Sequence, residues 1–421
     1  MNRKRVVITG LSAMSPLGND LQTSWTRLLA GESGIGPLTC FDASAFDARI
    51  AGEVKNFTPE TYMSSKQAKR MDRFSQFAVA AADMLLKDAD YAIGESNAAR
   101  VGVMLGVGIG GLRTIEHYHE KLVTAGPSKV SPFLVPMMIS NLGAGQVAIF
   151  TGAKAANMVV TTACASALHA IGAAWNEIVL GRCDAVITGG VEASVTPLGV
   201  AGFTAMKALS TSHNDDPTRA SRPFDKNRDG FVIAEGAGLL LLESLESAQA
   251  RGAKIYSEIA GFGASCDAYH ITAPEESGAG MACAMQNALD DGKLRPEQVE
   301  HINAHGTSTQ LNDVCETRAI RQVFGAHASK LHISATKSMT GHLLGAAGGL
   351  ESVFTIMALH EGILPGTINL TTPDPECDLN YLSNGSVRRA CEYALCNSFG
   401  FGGTNAGIVF KAVQENGKCK N

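Results

Sequence analysis

The stretch NMVVTTACASALHAIGAAWNEIVLGRCDAVITG, from Asn157 to Gly189, decides the architecture. Asn157–Thr162 is apolar and β-branched, as a strand requires. From Ala165 to Leu180 the period changes. Leu168, Ile171, Trp175 and Ile178 recur at three- and four-residue spacing and share one helix face. Gly181 supplies the stop. Cys183–Gly189 reads as a strand again. Strand, helix, strand is a βαβ unit, which implies parallel strands and a right-handed crossover.

The same alternation continues outward. Arg5–Gly10 reads as a short strand. Lys66–Lys87 reads as a helix, with Met71, Phe74, Ala78, Ala81 and Leu85 at helical spacing. Arg100–Leu105 reads as a strand ending in a glycine-rich turn. In the second half Val299–Ala304 is a strand, Asp313–Phe324 a helix, Leu331–Ala335 a strand and His342–Leu359 a helix of small residues. Tyr393–Asn397 and Thr404–Lys411 flank SFGFGG as a hairpin. The two halves share an order of elements and divide near residue 255. The expected units are therefore 1–255 and 256–412, with a polar tail over 413–421.

Composition narrows the class. The 421 residues are 45% apolar and 18% charged, the make-up of a globular chain. A net charge of −5 argues against a general nucleic-acid binder. No apolar run approaches the roughly 20 residues that span a bilayer. The apolar start is cut by Gly10, Pro16 and Gly18, which fits a strand and loop better than a signal peptide. The ten cysteines are scattered singly, none as CxxC, and read as reduced thiols of a cytoplasmic protein.

Several motifs need weighing. GVGIGG at 106–111 fits G-x-G-x-x-G, but no carboxylate stands about 20 residues on, so a tight turn is preferred to a dinucleotide site. DKNRDG at 225–230 resembles the start of a calcium loop. Its twelfth position is Gly236, and a charged turn is the better reading. Cys164 ends a strand and begins a helix, where a helix dipole would lower its pKa and favour thiolate. A lone cysteine is more often structural, as a lone histidine is more often a core or cap residue. His305 and His342, however, both follow strands in Gly/Thr-rich settings, at the carboxyl ends where open α/β sheets place their sites. Lys337 precedes His342 by five residues.

TTACASA (161–167), NAHGTST (303–309), TKSMTGH (336–342) and NSFGFGGTN (397–405) occur in that order, with RPFDKNRDGFV at 222–232. Together they resemble the β-ketoacyl-[acyl-carrier-protein] synthases of type II fatty-acid synthesis, nearest the synthase II branch. The resemblance covers about residues 3–412. It implies the α/β thiolase-like fold, duplicated βαβαβαββ halves in five α-β-α-β-α layers, and a cytoplasmic homodimer. It implies decarboxylative Claisen condensation of a malonyl thioester with an acyl group on Cys164, with an acyl carrier protein as partner and no cofactor or metal. His305 and His342 would form the decarboxylating pair, supported by Lys337. Backbone N–H groups of Cys164 and Phe401 would form an oxyanion hole. Ile109, Leu134, Phe203, Thr307, Thr309, Phe399 and Phe401 would contact substrate. Lys66, Lys69, Arg70, Lys129 and Lys207 would receive the acidic carrier protein.

This chain departs from the family pattern after HGTST. It reads QLNDVCE, without the expected Pro and Gly but with Asp313 and Glu316 in the acidic positions. Leu134 stands where the synthase II branch often has Phe. A condensing subunit of a dedicated polyketide or aryl-polyene pathway would carry the same catalytic set. A degradative thiolase would carry a second cysteine in the last glycine-rich loop, and a non-catalytic chain-length partner would lack Cys164.

Overall fold

Leu239 to Leu242 have neither a polar face nor a helical period, because a strand buried on both sides needs neither. In the computed structural model, which describes residues 3–413, Leu239 and Leu241 enter one hydrophobic cluster and Leu240 and Leu242 another. A sheet with apolar material on both faces must lie between two layers of helix.

The first half contributes strands β1 (Val6–Met14), β2 (Val101–Gly106), β3 (Asn157–Val160), β4 (Ala185–Glu192) and β5 (Gly236–Ser244). The second contributes β6 (Ser257–Cys266), β7 (Val299–Asn303), β8 (His332–Ser334), β9 (Tyr393–Gly400) and β10 (Thr404–Ala412). Their spatial orders are β3-β2-β4-β5-β1 and β8-β7-β9-β10-β6. These are the same permutation, third-second-fourth-fifth-first. The parallel and antiparallel pairings match as well: β2 is parallel to β3 and β4, as β7 is to β8 and β9, and the remaining neighbours are antiparallel. The halves join where Val7 and Ile8 pair with Glu258 and Ser257.

Helix α1 (Arg73–Asp88) covers the outer face of the first half, and α3 (Ala279–Asp291) with α4 (Gln310–Phe324) covers that of the second. Helices α2 (Ser166–Val179) and α5 (Ala347–Glu361) touch strands of both halves and form the middle layer. The layers are therefore α-β-α-β-α. The middle helices approach strand backbone directly. A Cβ on Gly349 would lie 2.5 Å from the Gly238 carbonyl and 2.6 Å from the Gly190 nitrogen. A side chain there would push α5 off the sheet.

Two element readings change. The helix expected over Lys66–Lys87 is broken: a turn over Ser65–Ala68 ends, and α1 restarts at Arg73 with the Asp72 carboxylate accepting the Phe74 N–H. The helix expected from His342 begins at Ala347, after a tight turn over Leu344–Ala346. The residues from 414 on lie outside the described chain, so the expected polar tail is described only at residue 413.

Candidate active site

The turn between β3 and α2 is strained. Ala163 adopts φ +50°, the left-handed region that non-glycine residues rarely occupy. Ser166 secures it: its hydroxyl donates to the Ala163 carbonyl at 2.6 Å and accepts the Thr162 N–H at 2.9 Å. Gly106 and Gly400 let neighbouring backbone close on the turn. A Cβ on Gly400 would lie 2.8 Å from the Thr162 carbonyl. Cys164 is thereby held at the head of α2, buried, with the Phe401 N–H directed at its sulfur.

The lowered thiol pKa expected from the helix dipole is reversed. Burial pushes the Cys164 thiol up to about 11, while the Lys337 ammonium and the Phe401 N–H pull the other way. The geometry gives a reason. The first N–H groups of the turn, Ala165 and Ser166, donate to the Thr162 and Ala163 carbonyls rather than to the sulfur. The resting cysteine is a thiol.

His305 follows β7. Its backbone N–H and that of Gly306 each donate to the buried Glu316 carboxylate at 2.8 Å. Burial pushes that carboxyl up to about 7. His342 lies between Gly341 (φ +70°) and the turn at Leu344. The segment Phe231–Ala234 straps it: the His342 N–H donates to the Val232 carbonyl at 2.7 Å, and the Ala234 N–H donates to the His342 carbonyl at 2.9 Å. The Phe231 ring meets the His342 ring edge-on, 5.2 Å between centroids.

These elements converge. The Cys164 sulfur and one nitrogen from each imidazole lie within 4.8 Å of one another. The histidine rings are 5.3 Å apart and nearly perpendicular. Each Nδ1 faces a donor. The Lys337 ammonium stands 3.3 Å from His305 Nδ1 and donates to the His305 carbonyl at 2.7 Å. The Leu344 N–H donates to His342 Nδ1 at 3.2 Å. This partner set assigns each ring's proton to Nε2. His342 Nε2 is buried without a hydrogen-bond partner among the described residues. Burial, then the Lys337 charge, holds both imidazoles well below their usual pKa, so they are neutral. Lys337 is itself buried and ion-paired with Glu351.

A Cys-His-His set at these distances could in principle hold a transition metal. To ligate through Nε2, each ring would need its proton on Nδ1, where it would oppose an ammonium or an amide N–H. The arrangement instead offers two N–H donors beside a thiol. Such a group can stabilise an oxyanion or enolate while the sulfur acts as nucleophile. A cavity of about 600 Å³ opens over it, lined mainly by apolar groups.

Residues 3–248 match the beta-ketoacyl synthase N-terminal domain, and residues 256–371 match the C-terminal domain. The chain belongs to the beta-ketoacyl synthase family. Among its relatives in that family, a 3-oxoacyl-[acyl-carrier-protein] synthase 2 from Synechocystis is 53% identical over 414 residues, covering 98% of this chain and 99% of the relative. One of the same name from Staphylococcus aureus is 51% identical over 411 residues, covering 98% and 99%. A solved beta-ketoacyl synthase from Burkholderia phymatum superposes with a TM-score of 0.91 at 36% identity, covering 98% of this chain and all of that one. A ketosynthase from a type II polyketide system, solved with its acyl-carrier protein, gives a TM-score of 0.89 at 34% identity, covering 98% and 100%.

The synthase cavity brings together most of the residues expected to meet substrate. Ile109, Phe203, Thr307, Thr309, Phe399 and Phe401 line it with Cys164, His305 and His342. Thr307 and Thr309 share a hydroxyl hydrogen bond of 2.9 Å. Leu134 does not line it; it lies half-buried at the start of the short helix Leu134–Met138. Lys66, Lys69, Arg70, Lys129 and Lys207 are exposed, and Lys207 borders the mouth. The loop at 225–230 that resembles the start of a calcium loop is a brace. Asp225 accepts the Thr371 and Thr372 N–H groups, and Arg228 donates to Asp374 and to the Thr309 and Gln310 carbonyls. Residue-by-residue reading missed Glu351 and Phe231. A single carboxylate in the apolar run of α5 was the available signal, because a buried charge demands a partner.

Proposed function

We propose that the chain catalyses decarboxylative Claisen condensation in fatty-acid elongation, joining an acyl group on Cys164 to malonyl carried on an acyl carrier protein. The observation that carries this reading is the convergence of the two imidazoles on Cys164, with a donor at each Nδ1 that assigns the ring proton to Nε2. The 3-oxoacyl-[acyl-carrier-protein] synthase names of relatives at 53% and 51% identity support the fatty-acid assignment.

In the first step the Cys164 sulfur attacks the acyl thioester carbonyl. The S–C bond to the carrier's pantetheine breaks, and the cysteine proton leaves with the departing thiol. The transfer is nearly isoenergetic, so the protein contributes position and oxyanion stabilisation. Malonyl thioester then loses CO₂. Its electron pair passes into an enolate whose oxygen receives the His305 and His342 Nε2–H groups. The enolate carbon attacks the acyl–Cys164 carbonyl, whose oxygen is held by the Phe401 and Cys164 N–H groups. The C–S bond breaks, giving 3-oxoacyl thioester and freeing Cys164, which regains a proton from solvent. Lys337 keeps Nδ1 of His305 unprotonated and is balanced by Glu351.

The exposed Lys66, Lys69, Arg70, Lys129 and Lys207 would receive an acidic carrier protein, and Lys207 at the cavity mouth supports this. The chain would act as a homodimer. The edge strand β3 and the exposed Ile115, Leu122, Ile149, Phe150 and Met158 suit association with a second copy. The halves 1–255 and 256–412 would carry the nucleophile and the histidine pair respectively. No helix of the described residues is long and apolar enough to cross a membrane, in keeping with a cytoplasmic enzyme.

A ketosynthase role in a dedicated polyketide or aryl-polyene pathway is the second reading, favoured by the structural likeness to a type II polyketide ketosynthase at 34% identity. Product analysis separates the two. With saturated acyl primer and malonyl-loaded carrier, elongation alone gives one product two carbons longer, whereas a polyketide enzyme gives repeated unreduced extension. Failure to extend saturated primers would overturn the fatty-acid assignment.

A further inference from the structure

The glycine-rich turn after β2 remains unexplained by the chemistry above, and its partner is an internal carboxylate. Glu192, at the end of β4, is fully buried. Its Oε2 accepts the N–H groups of Gly108 at 2.8 Å and Ile109 at 3.2 Å, and the Gly110 N–H also points to the carboxylate. Its Oε1 accepts the Ser194 hydroxyl at 2.8 Å. Successive backbone N–H groups converging on one anion form a nest. Gly108 leaves room for this, since a Cβ there would crowd the carboxylate, lying 2.6 Å from Glu192 Oε2 and 3.1 Å from the Gly345 nitrogen. The turn is therefore clamped from one side by Glu192 and packed on the other against the loop after His342. Its outward residue is Ile109, which lines the cavity beside Cys164, whereas Glu192 does not reach the cavity.

We propose that Glu192 is a positioning residue for acyl-chain selection: by holding Gly108–Gly110 it fixes the wall that Ile109 presents, and so sets the primer length the cavity accepts. This rests on the reading of the cavity as the acyl site. A released turn would let Ile109 move without altering the distances among Cys164, His305 and His342. Length selection would then change more than chemistry.

The test compares kcat/KM on a short and a long acyl-carrier-protein primer for Glu192→Gln, Glu192→Asp and Glu192→Ala, with melting temperature for each. Glutamine offers a carbonyl oxygen to Gly108 and Ile109 and an amide to Ser194, so it should keep the wild-type ratio. Aspartate draws the acceptor back by one methylene, and alanine removes it. Both should change the long-to-short ratio on the order of tenfold, less than the roughly 10²-fold that a 1 Å misplacement at the chemistry costs. Short-primer acylation of Cys164, read by intact mass, should persist. An unchanged ratio in folded Asp and Ala variants, or an equal fall at every length that tracks melting temperature, would overturn the proposal. If neither variant folds, Ser194→Ala removes one contact and reads the same ratio, and no change there would also overturn it. Wild-type protein that fails to acylate at any length would instead sink the acyl-site reading.

Discussion

Replacing His342 with Ala removes one of the two N–H groups assigned to the enolate. The backbone of residue 342 is tied to Val232 and Ala234 by main-chain hydrogen bonds, so the loop keeps its anchors when the ring is lost. What disappears is Nε2, the buried nitrogen with no hydrogen-bond partner among the described residues. Removing one preorganised donor of this kind costs about 2.7–4 kcal/mol of barrier, on the order of 10²–10³ in rate. Two independent donors would double that in free energy. The rings are only 5.3 Å apart, and in the proposed mechanism their Nε2–H groups serve one oxygen, so the double variant His305→Ala/His342→Ala should fall little below the worse single one. The assay is release of labelled CO₂ from malonyl thioester, run beside acyl loading of Cys164 by intact mass. Loading should survive in both single variants, since it uses the sulfur and the backbone N–H groups. Folded variants that release CO₂ at the wild-type rate, or lose loading as fully as decarboxylation, would refute this division of labour.

Both imidazoles are held well below the unperturbed histidine pKa of about 6.5, so they stay neutral as pH falls through that value. Glu316, which burial pushes up to about 7, changes charge in this range, so the histidines are tested in Glu316→Gln: decarboxylation by that variant should be flat from pH 8 to pH 6, and a fall centred near 6.5 there would contradict the assignment. By linkage the unfolded chain takes up these protons first, so the histidines' contribution to stability is present above about pH 6.5 and lost below it, readable as a falling melting temperature. Ile109→Phe should still condense short primers but reject those beyond medium length, because each buried methylene contributes about 0.8 kcal/mol and a packed wall absorbs bulk poorly. A uniform loss with a lowered melting temperature would instead make Ile109 a core residue. Lys69→Glu should raise the apparent KM for carrier-protein substrates while leaving small pantetheine thioesters unaffected, with binding weakened by salt. Equal loss on both substrates would count against a docking role.

The βαβ unit around Cys164 was legible because α2 is amphipathic and β3 is short. Strand β5 was not, since Leu239–Leu242 is buried on both faces and shows no period. His305 and His342 could be flagged from their glycine-rich surroundings, but their protonation pattern could not. It depends on Lys337 and Leu344, and only folding brings Lys337 to His305. The direction of the Cys164 shift was misread because sequence shows a helix start but neither that folding buries the thiol, which raises its pKa, nor that the first N–H groups are already spent on the Thr162 and Ala163 carbonyls. GVGIGG, read as a tight turn rather than a dinucleotide site, is a tight turn, and the carboxyl its N–H groups meet is the protein's own Glu192, which no local spacing shows.

The central claim is that Cys164 carries the growing chain. Incubation with acyl-loaded carrier protein, proteolysis and mass mapping test it directly. One acyl adduct is expected, on the peptide containing Cys164, that disappears when malonyl-loaded carrier protein is added, with matching CO₂ and a product two carbons longer. Turnover by Cys164→Ala at the wild-type rate, or an adduct on another cysteine that discharges at the rate of turnover, would contradict it.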